Sequence, residues 1–278
     1  MRDNTSNGGF GDLPEWNLDD LYPSTDGTEI TQDMDWLSKE CPSFATDYEG
    51  KLAGLDATGL LDCILRFEKI QNIMGRVMSF AGLRYYQNTV NANRAKFMAD
   101  MQGKITDMST PMVFFSLELN RVDDAQLDAM VAADNGLARY KPILDQMRAM
   151  KPYQLSDELE KFLHDQSVVG ATAWNRLFDE TMAGLTFNID GEEMVLEATL
   201  NLLSDTDRTK REAGAKALVA VFQDNISLFA RITNTLAKEK EVEDRWRGVP
   251  TPQARRHLAN HVEPEVVEAL RNAVVAAY

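Results

Sequence analysis

Apolar residues recur every three or four positions along most of this chain. Leu60, Ile64, Ile70, Ile73, Met74, Val77, Met78 and Ala81 form one stripe, the spacing that keeps side chains on one face of an α-helix. A turn at Asn88 to Asn91 leads into a second stripe of Phe97, Met101, Ile105 and Met108. The two are predicted to pack as an antiparallel pair. The helical pattern takes over at about Glu29. Before it, Leu13 to Tyr22 mixes apolar side chains with turn formers and is expected to lie extended against a larger body, while Met1 to Asp12 reads as a disordered leader.

Beyond the second stripe the helical pattern is interrupted repeatedly. Pro111 lacks an amide donor and should break the helix it falls in. Asp123 with Gln126 three residues on fits a capping box, and Ser156 ahead of Asp157 and Glu158 is a second start signal. Gly136, Pro142 and Pro152 imply short helices between them. Leu185 to Leu196 departs from the helical period. Its Asp190-Gly191 suits a two-residue type I′ turn, which pairs Ile189 with Glu192, Phe187 with Met194 and Leu185 with Leu196 in a hairpin laid on helices.

Beyond the hairpin, Asn201 to Arg208 supplies a helix end and a restart capped by Ser204 or Asp205. Leu218, Phe222, Ile226, Phe229, Ile232 and Leu236 then predict one long helix to about Arg245, closed by Gly248 to Pro252. Pro264 opens a final helix in which Val266, Val267, Leu270, Val274 and Val275 keep the period up to Tyr278. Such a helix, with no Gly, basic turn or polar tail after it, reads as interrupted and predicts truncation.

Composition agrees with an all-α chain carrying one small β-hairpin. Of 278 residues 44% are hydrophobic, and only 16 are Gly and 9 Pro. The net charge of -15 would repel phosphate backbones and anionic lipid heads, so nucleic acid is not an expected partner. Cys41 and Cys63, widely spaced and outside any C-x-x-C, signal neither a disulfide framework nor a cysteine zinc site and suit a reducing cytoplasm. No apolar run reaches the length of a membrane span or an export signal.

Candidate chemistry is sparse. His257 and His261 have the four-residue spacing of a zinc-binding helix, but the position after the first holds Leu258, where H-E-x-x-H needs a Glu base, and Pro264 places His261 in a turn. His164 lies four residues after Glu160, an arrangement for a surface pair. Arg84, Tyr85 and Tyr86 could form a recognition patch or simply cap a helix pair. Asp205, Asp207, Arg208, Lys210 and Arg211 are accounted for by capping and ion pairing. No G-x-S-x-G elbow or phosphate-cradling loop occurs, so no residue of this chain is assigned as catalytic, cofactor-binding or metal-binding.

Four collinear blocks carry a resemblance. Leu13-Pro14-Glu15-Trp16-Asn17-Leu18-Asp19-Asp20-Leu21-Tyr22 resembles the start of oligoendopeptidase F and related thimet-oligopeptidase-like zinc peptidases. So do the hairpin Leu185 to Leu196, the Leu202 to Arg208 restart, and the helix through Lys238 ending in Arg245-Trp246-Arg247-Gly248-Val249-Pro250-Thr251-Pro252. The resemblance implies a helical lobe over residues 13–196 and the start of a catalytic domain over 197–278. It also implies that the zinc ligands and general base, an H-E-x-x-H helix and a further Glu, lie beyond Tyr278. The parent would be a cytoplasmic zinc metalloendopeptidase acting on short peptides, and the fragment alone would be inactive. A stand-alone helical binding module is the alternative.

Overall fold

The computed structural model describes residues 14–278, so the expected leader at Met1 to Asp12 lies outside the described residues. The segment ahead of the first helix runs without regular structure over the helices, as its composition predicts. Tyr22 is its anchor: the ring is buried edge-on against Phe80, with centroids 5.4 Å apart. Its hydroxyl donates to Asp33 Oδ2 at 2.5 Å and accepts from Arg76 Nε at 3.0 Å.

Three long helices build the core. α1 (Thr28–Tyr48) buries Ile30, Leu37, Cys41 and Phe44, a stripe at helical spacing. α2 (Ala57–Tyr86) starts where the Asp56 side chain accepts from the Gly59 amide, and α3 (Ala92–Ser109) where Asn91 accepts from the amides of Asn93 and Arg94. The short connection between α2 and α3 forces the predicted antiparallel pairing, and the two pack extensively. At Pro111 the α-helix gives way to a 3-10 turn, Thr110–Met112.

Short helices then close the lobe: α4 (Phe114–Arg121), α5 (Asp124–Ala133), α6 (Asn135–Ala138) and α7 (Lys141–Arg148). Phe114 and Phe115 enter the centre, where Phe115 stacks on Phe67 at 4.1 Å and Phe114 meets Phe44 at 5.6 Å. α5 is capped by Asp123 as expected, but Gln126 does not complete a reciprocal box. Its side-chain amide donates instead to the Ala53 carbonyl at 2.9 Å, a tertiary tie that wins over the local one. The contiguous core runs from Tyr22 to Leu144, with Met147 packed against its edge.

The second half is thinner. α8 (Asp157–Gln166) and α9 (Ala171–Gly184) bury no side chain fully. A two-stranded antiparallel sheet follows, β1 (Phe187–Ile189) and β2 (Glu192–Met194), with the predicted pairs Phe187 with Met194 and Ile189 with Glu192. Asp190 and Gly191 both take positive φ, 54° and 92°, as a type I′ turn requires. The third expected pair does not form, because Leu185 caps α9 and Leu196 already begins α10 (Leu196–Leu202).

α11 (Arg208–Asp224) is capped by Asp207, not by Ser204 or Asp205; the Asp205 carboxylate is occupied by the Asp207 amide at 2.9 Å. The single long helix expected from Leu218 onward is in fact two, α11 and α12 (Ile226–Arg247), divided at Asn225. There the Asn225 side-chain amide donates to the Val221 carbonyl at 2.9 Å, competing with the backbone ladder. Gly248 ends α12 in the left-handed conformation, φ 69°. α13 (Ala254–Ala259) and α14 (Pro264–Ala276) follow, and α14 carries its apolar stripe with no side chain buried.

Candidate functional site

A groove of about 1050 Å³ lies between α8 and α9 on one side and α12 on the other. Helical spacing makes its walls. Leu155, Leu159, Phe162 and Gln166 fall on one face at and beyond the start of α8, and Val169 with Trp174 continue that wall into α9. Opposite, Ser227, Arg231, Asn234, Lys238, Val242 and Trp246 follow one another at steps of three or four along α12. One wall is mainly apolar; the other is mainly polar, with Ala230, Val242 and Trp246 as its apolar members. Phe162, Val169 and Trp246 are exposed and line the same groove, so they form one apolar patch rather than scattered surface residues.

An ionic cluster holds the walls together. Arg247 of α12 donates through Nη1 and Nη2 to both Glu160 oxygens of α8, at 2.6 and 2.9 Å, and through Nε to Glu243 at 2.7 Å. Arg255 reaches the other Glu243 oxygen at 2.8 Å. Burial by itself would push the Glu160 carboxyl up, but Arg247 and the Leu155 amide more than offset it and hold the group below the usual carboxylate range. Glu243 behaves alike, burial opposed by Arg255 and Arg247. The hydrogen bond from Arg247 to Glu160 raises the guanidinium further above its ordinary value. Glu239 adds a tie by accepting from the Ala171 amide at 3.0 Å, an acid at the positive end of α9.

A smaller cavity of about 490 Å³ adjoins this cluster and includes Ser109 and His164. The expected His164–Glu160 surface pair does not form, since Glu160 is claimed by Arg247. His164 Nε2 instead lies 2.7 Å from Ser109 Oγ. The same hydroxyl lies 3.0 Å from the Thr106 carbonyl, so its one hydrogen goes to the carbonyl or to the imidazole according to the His164 tautomer.

The remaining histidines stand apart. His257 is half-buried in α13, and His261 sits beyond its end at φ 52° in the turn before Pro264, as the proline predicts. Among the described residues no group of three or more His, Cys, Asp or Glu is placed to hold a metal ion. The residues described therefore do not fit a catalytic zinc site. Tyr85 is buried and Tyr86 exposed, dividing the Arg84 to Tyr86 segment between core and surface.

Residues 118–187, from α4 through the start of β1, match the family model described as Oligopeptidase F. Group B oligopeptidase PepB of Streptococcus agalactiae serotype III (strain NEM316) is 23% identical over 282 residues, a match covering 97% of this chain and 45% of that protein. Oligopeptidase PepF of Bacillus subtilis (strain 168) is 22% identical over 227 residues, covering 80% of this chain and 32% of that one. This chain is thus similar to oligopeptidase F over residues 118–187 and to these two oligopeptidases over most of its length. Its fold is that of the crystal structure of oligoendopeptidase-F from Enterococcus faecium, with a TM-score of 0.77 at 22% identity over 88% of this chain and 49% of that one.

The chain thus spans under half the length of the oligopeptidases it matches, their N-terminal portion. The Oligopeptidase F match contains Glu160 and the apolar wall of the groove, whereas Arg247 and the polar wall lie after it. Motif searching misses this groove because it has no motif. Its trace in the sequence is Trp246, on a helix that already buries Ile232 on another face, together with Leu159, Phe162 and Leu163, the large apolar residues of α8, which all face the groove.

Proposed function

We propose that this chain is the N-terminal, substrate-enclosing portion of a zinc metalloendopeptidase that hydrolyses short peptides. Residues 13–196 would form the enclosing lobe and 197–278 the first helices of the catalytic domain. Zinc, its ligands and the general base would come from the further length that the relatives have. The single observation supporting this is the coverage: 97% of this chain aligns with an oligopeptidase, yet only 45% of that oligopeptidase is matched. The buried free thiols Cys41 and Cys63 suit a reducing cytoplasm.

The alternative, a stand-alone helical binding module, draws on the open groove along α12. Two measurements separate the readings. Purified 1–278 with added zinc should not turn over a quenched peptide, and chelator-sensitive turnover would refute the division of labour. The reading frame after the codon for Tyr278 should continue to an H-E-x-x-H helix; a stop there would favour the module.

A further inference from the structure

The groove along α12 has one wall of each kind, and this selects its occupant. Ser227, Arg231, Asn234 and Thr235 project from α12 into a cavity whose far wall is Leu155, Leu159, Phe162, Val169 and Trp174. Arg231 is exposed and has no carboxylate partner among the described residues, whereas Lys238 is matched by Glu241 at 2.5 Å. From Ser227 to Trp246 the lined face of α12 is roughly 28 Å long, at 1.5 Å per helical residue.

An entering helix has already satisfied its own backbone and would gain little from a wall of hydroxyl, amide and charged side chains, which includes Lys238, Glu239 and Glu243 beside Arg231. An extended chain keeps one free N–H and one free C=O per residue, and that wall supplies partners for them. The length suits about eight residues of extended peptide at most. Alternate side chains would face the apolar wall. The lone guanidinium matches a carboxylate, which it can grip with two parallel hydrogen bonds.

We propose that this groove holds a short extended peptide, its apolar side chains against Leu159, Phe162 and Trp174 and its C-terminal carboxylate on Arg231. The ligand class rests on the peptidase reading; the groove and the polarity of binding do not. The site is one of retention and alignment, separate from bond cleavage, so it operates without metal.

The test uses the 1–278 chain and fluorescence anisotropy of an N-terminally labelled hexapeptide of alternating leucine and alanine, made as free acid and as C-terminal amide. The acid should bind saturably and about tenfold tighter than the amide, the loss expected when a charge-assisted pair is removed. Arg231→Gln should bring the acid down to the affinity of the amide and leave the amide unchanged. Phe162→Ala should weaken both alike. Both side chains are exposed, and an unchanged circular dichroism spectrum checks that the variants fold. Absence of saturable binding, equal affinity for acid and amide, or an Arg231→Gln variant that keeps the preference would each overturn the proposal. So would tighter binding of a stapled helix of the same composition. No zinc and no turnover enter this measurement, so its failure is distinct from failure of the peptidase reading.

Discussion

Arg247 grips Glu160 with both arms of its guanidinium across eighty-seven positions of sequence, and that bond joins the wall of α8 to the wall of α12. Both side chains are largely withdrawn from solvent, 9% and 14% exposed. Removing one partner strands the other. Glu160→Gln or Arg247→Met should each cost about 3 kcal/mol, because the surviving charge is left poorly solvated. The double variant should lose less than the two single losses added, a coupling readable in urea denaturation as a double-mutant cycle. Strict additivity would show that the pair does not fasten the groove.

Acid should loosen the same fastening. Glu160 and Glu243 are held below their ordinary value of 4.5 by their arginine partners, which outweigh the opposing effect of burial. A carboxylate whose folded pKa is depressed contributes stability above the unfolded value, and the contribution disappears as pH falls through the folded one. Melting temperature should therefore hold from neutral pH to near the ordinary value and drop below it. A Glu160→Gln, Glu243→Gln double variant starts lower and should show a shallower fall; an identical acid limb would exclude these groups as its source.

The aromatic centre makes a different demand. Phe115 is buried against Phe67 and Phe44, and trimming it to alanine removes their contacts from a filled interior. Phe115→Ala should destabilise the chain by about 4 kcal/mol in equilibrium denaturation. Phe162→Ala, at an exposed position, should change stability by less than about 0.5 kcal/mol.

Gly191 tests the hairpin by backbone alone. Its φ of 92° is unfavourable for a residue with a side chain, and an added Cβ would meet nothing within 4 Å. Gly191→Ala should thus cost about 1 kcal/mol through conformation rather than collision. A neutral result in thermal denaturation would mean that the turn relaxes freely.

Burial pushes the Cys41 thiol up to about 11 and the Cys63 thiol up to about 12. Since the thiolate is the reacting species, a disulfide reagent at neutral pH should modify neither until the core opens. Labelling that tracks the unfolding rate is the expected outcome. Fast labelling of the native chain would contradict their placement.

Those parts of the fold that depend on neighbours along the chain are legible in the sequence. Pro111 turns the end of α3 into a 3-10 turn, Asp190-Gly191 dictates its turn, and Pro264 opens α14 because a missing amide is harmless there. Features decided by distant partners are not. Hydrophobic spacing runs unbroken through Asn225, yet a side-chain amide seeking the Val221 carbonyl splits the helix. Gln126 could cap its own helix and reaches the Ala53 carbonyl instead, while Glu160 passes over His164 for an arginine far along the chain. The groove is hidden for the same reason, since neither α8 nor α12 is hollow by itself.

The uneven placement of the interior has a mechanical corollary. Nearly all the deeply enclosed side chains precede Met147, while from α8 to α14 they are few, chiefly Phe187, Thr199, Leu218 and Ile232 beside the Phe178, Phe222 and Phe229 rings. Warming should therefore peel this chain rather than melt it at a stroke: amide protons of α14 would exchange first, those of α12 when its guanidinium clasp lets go, and those of α2 last.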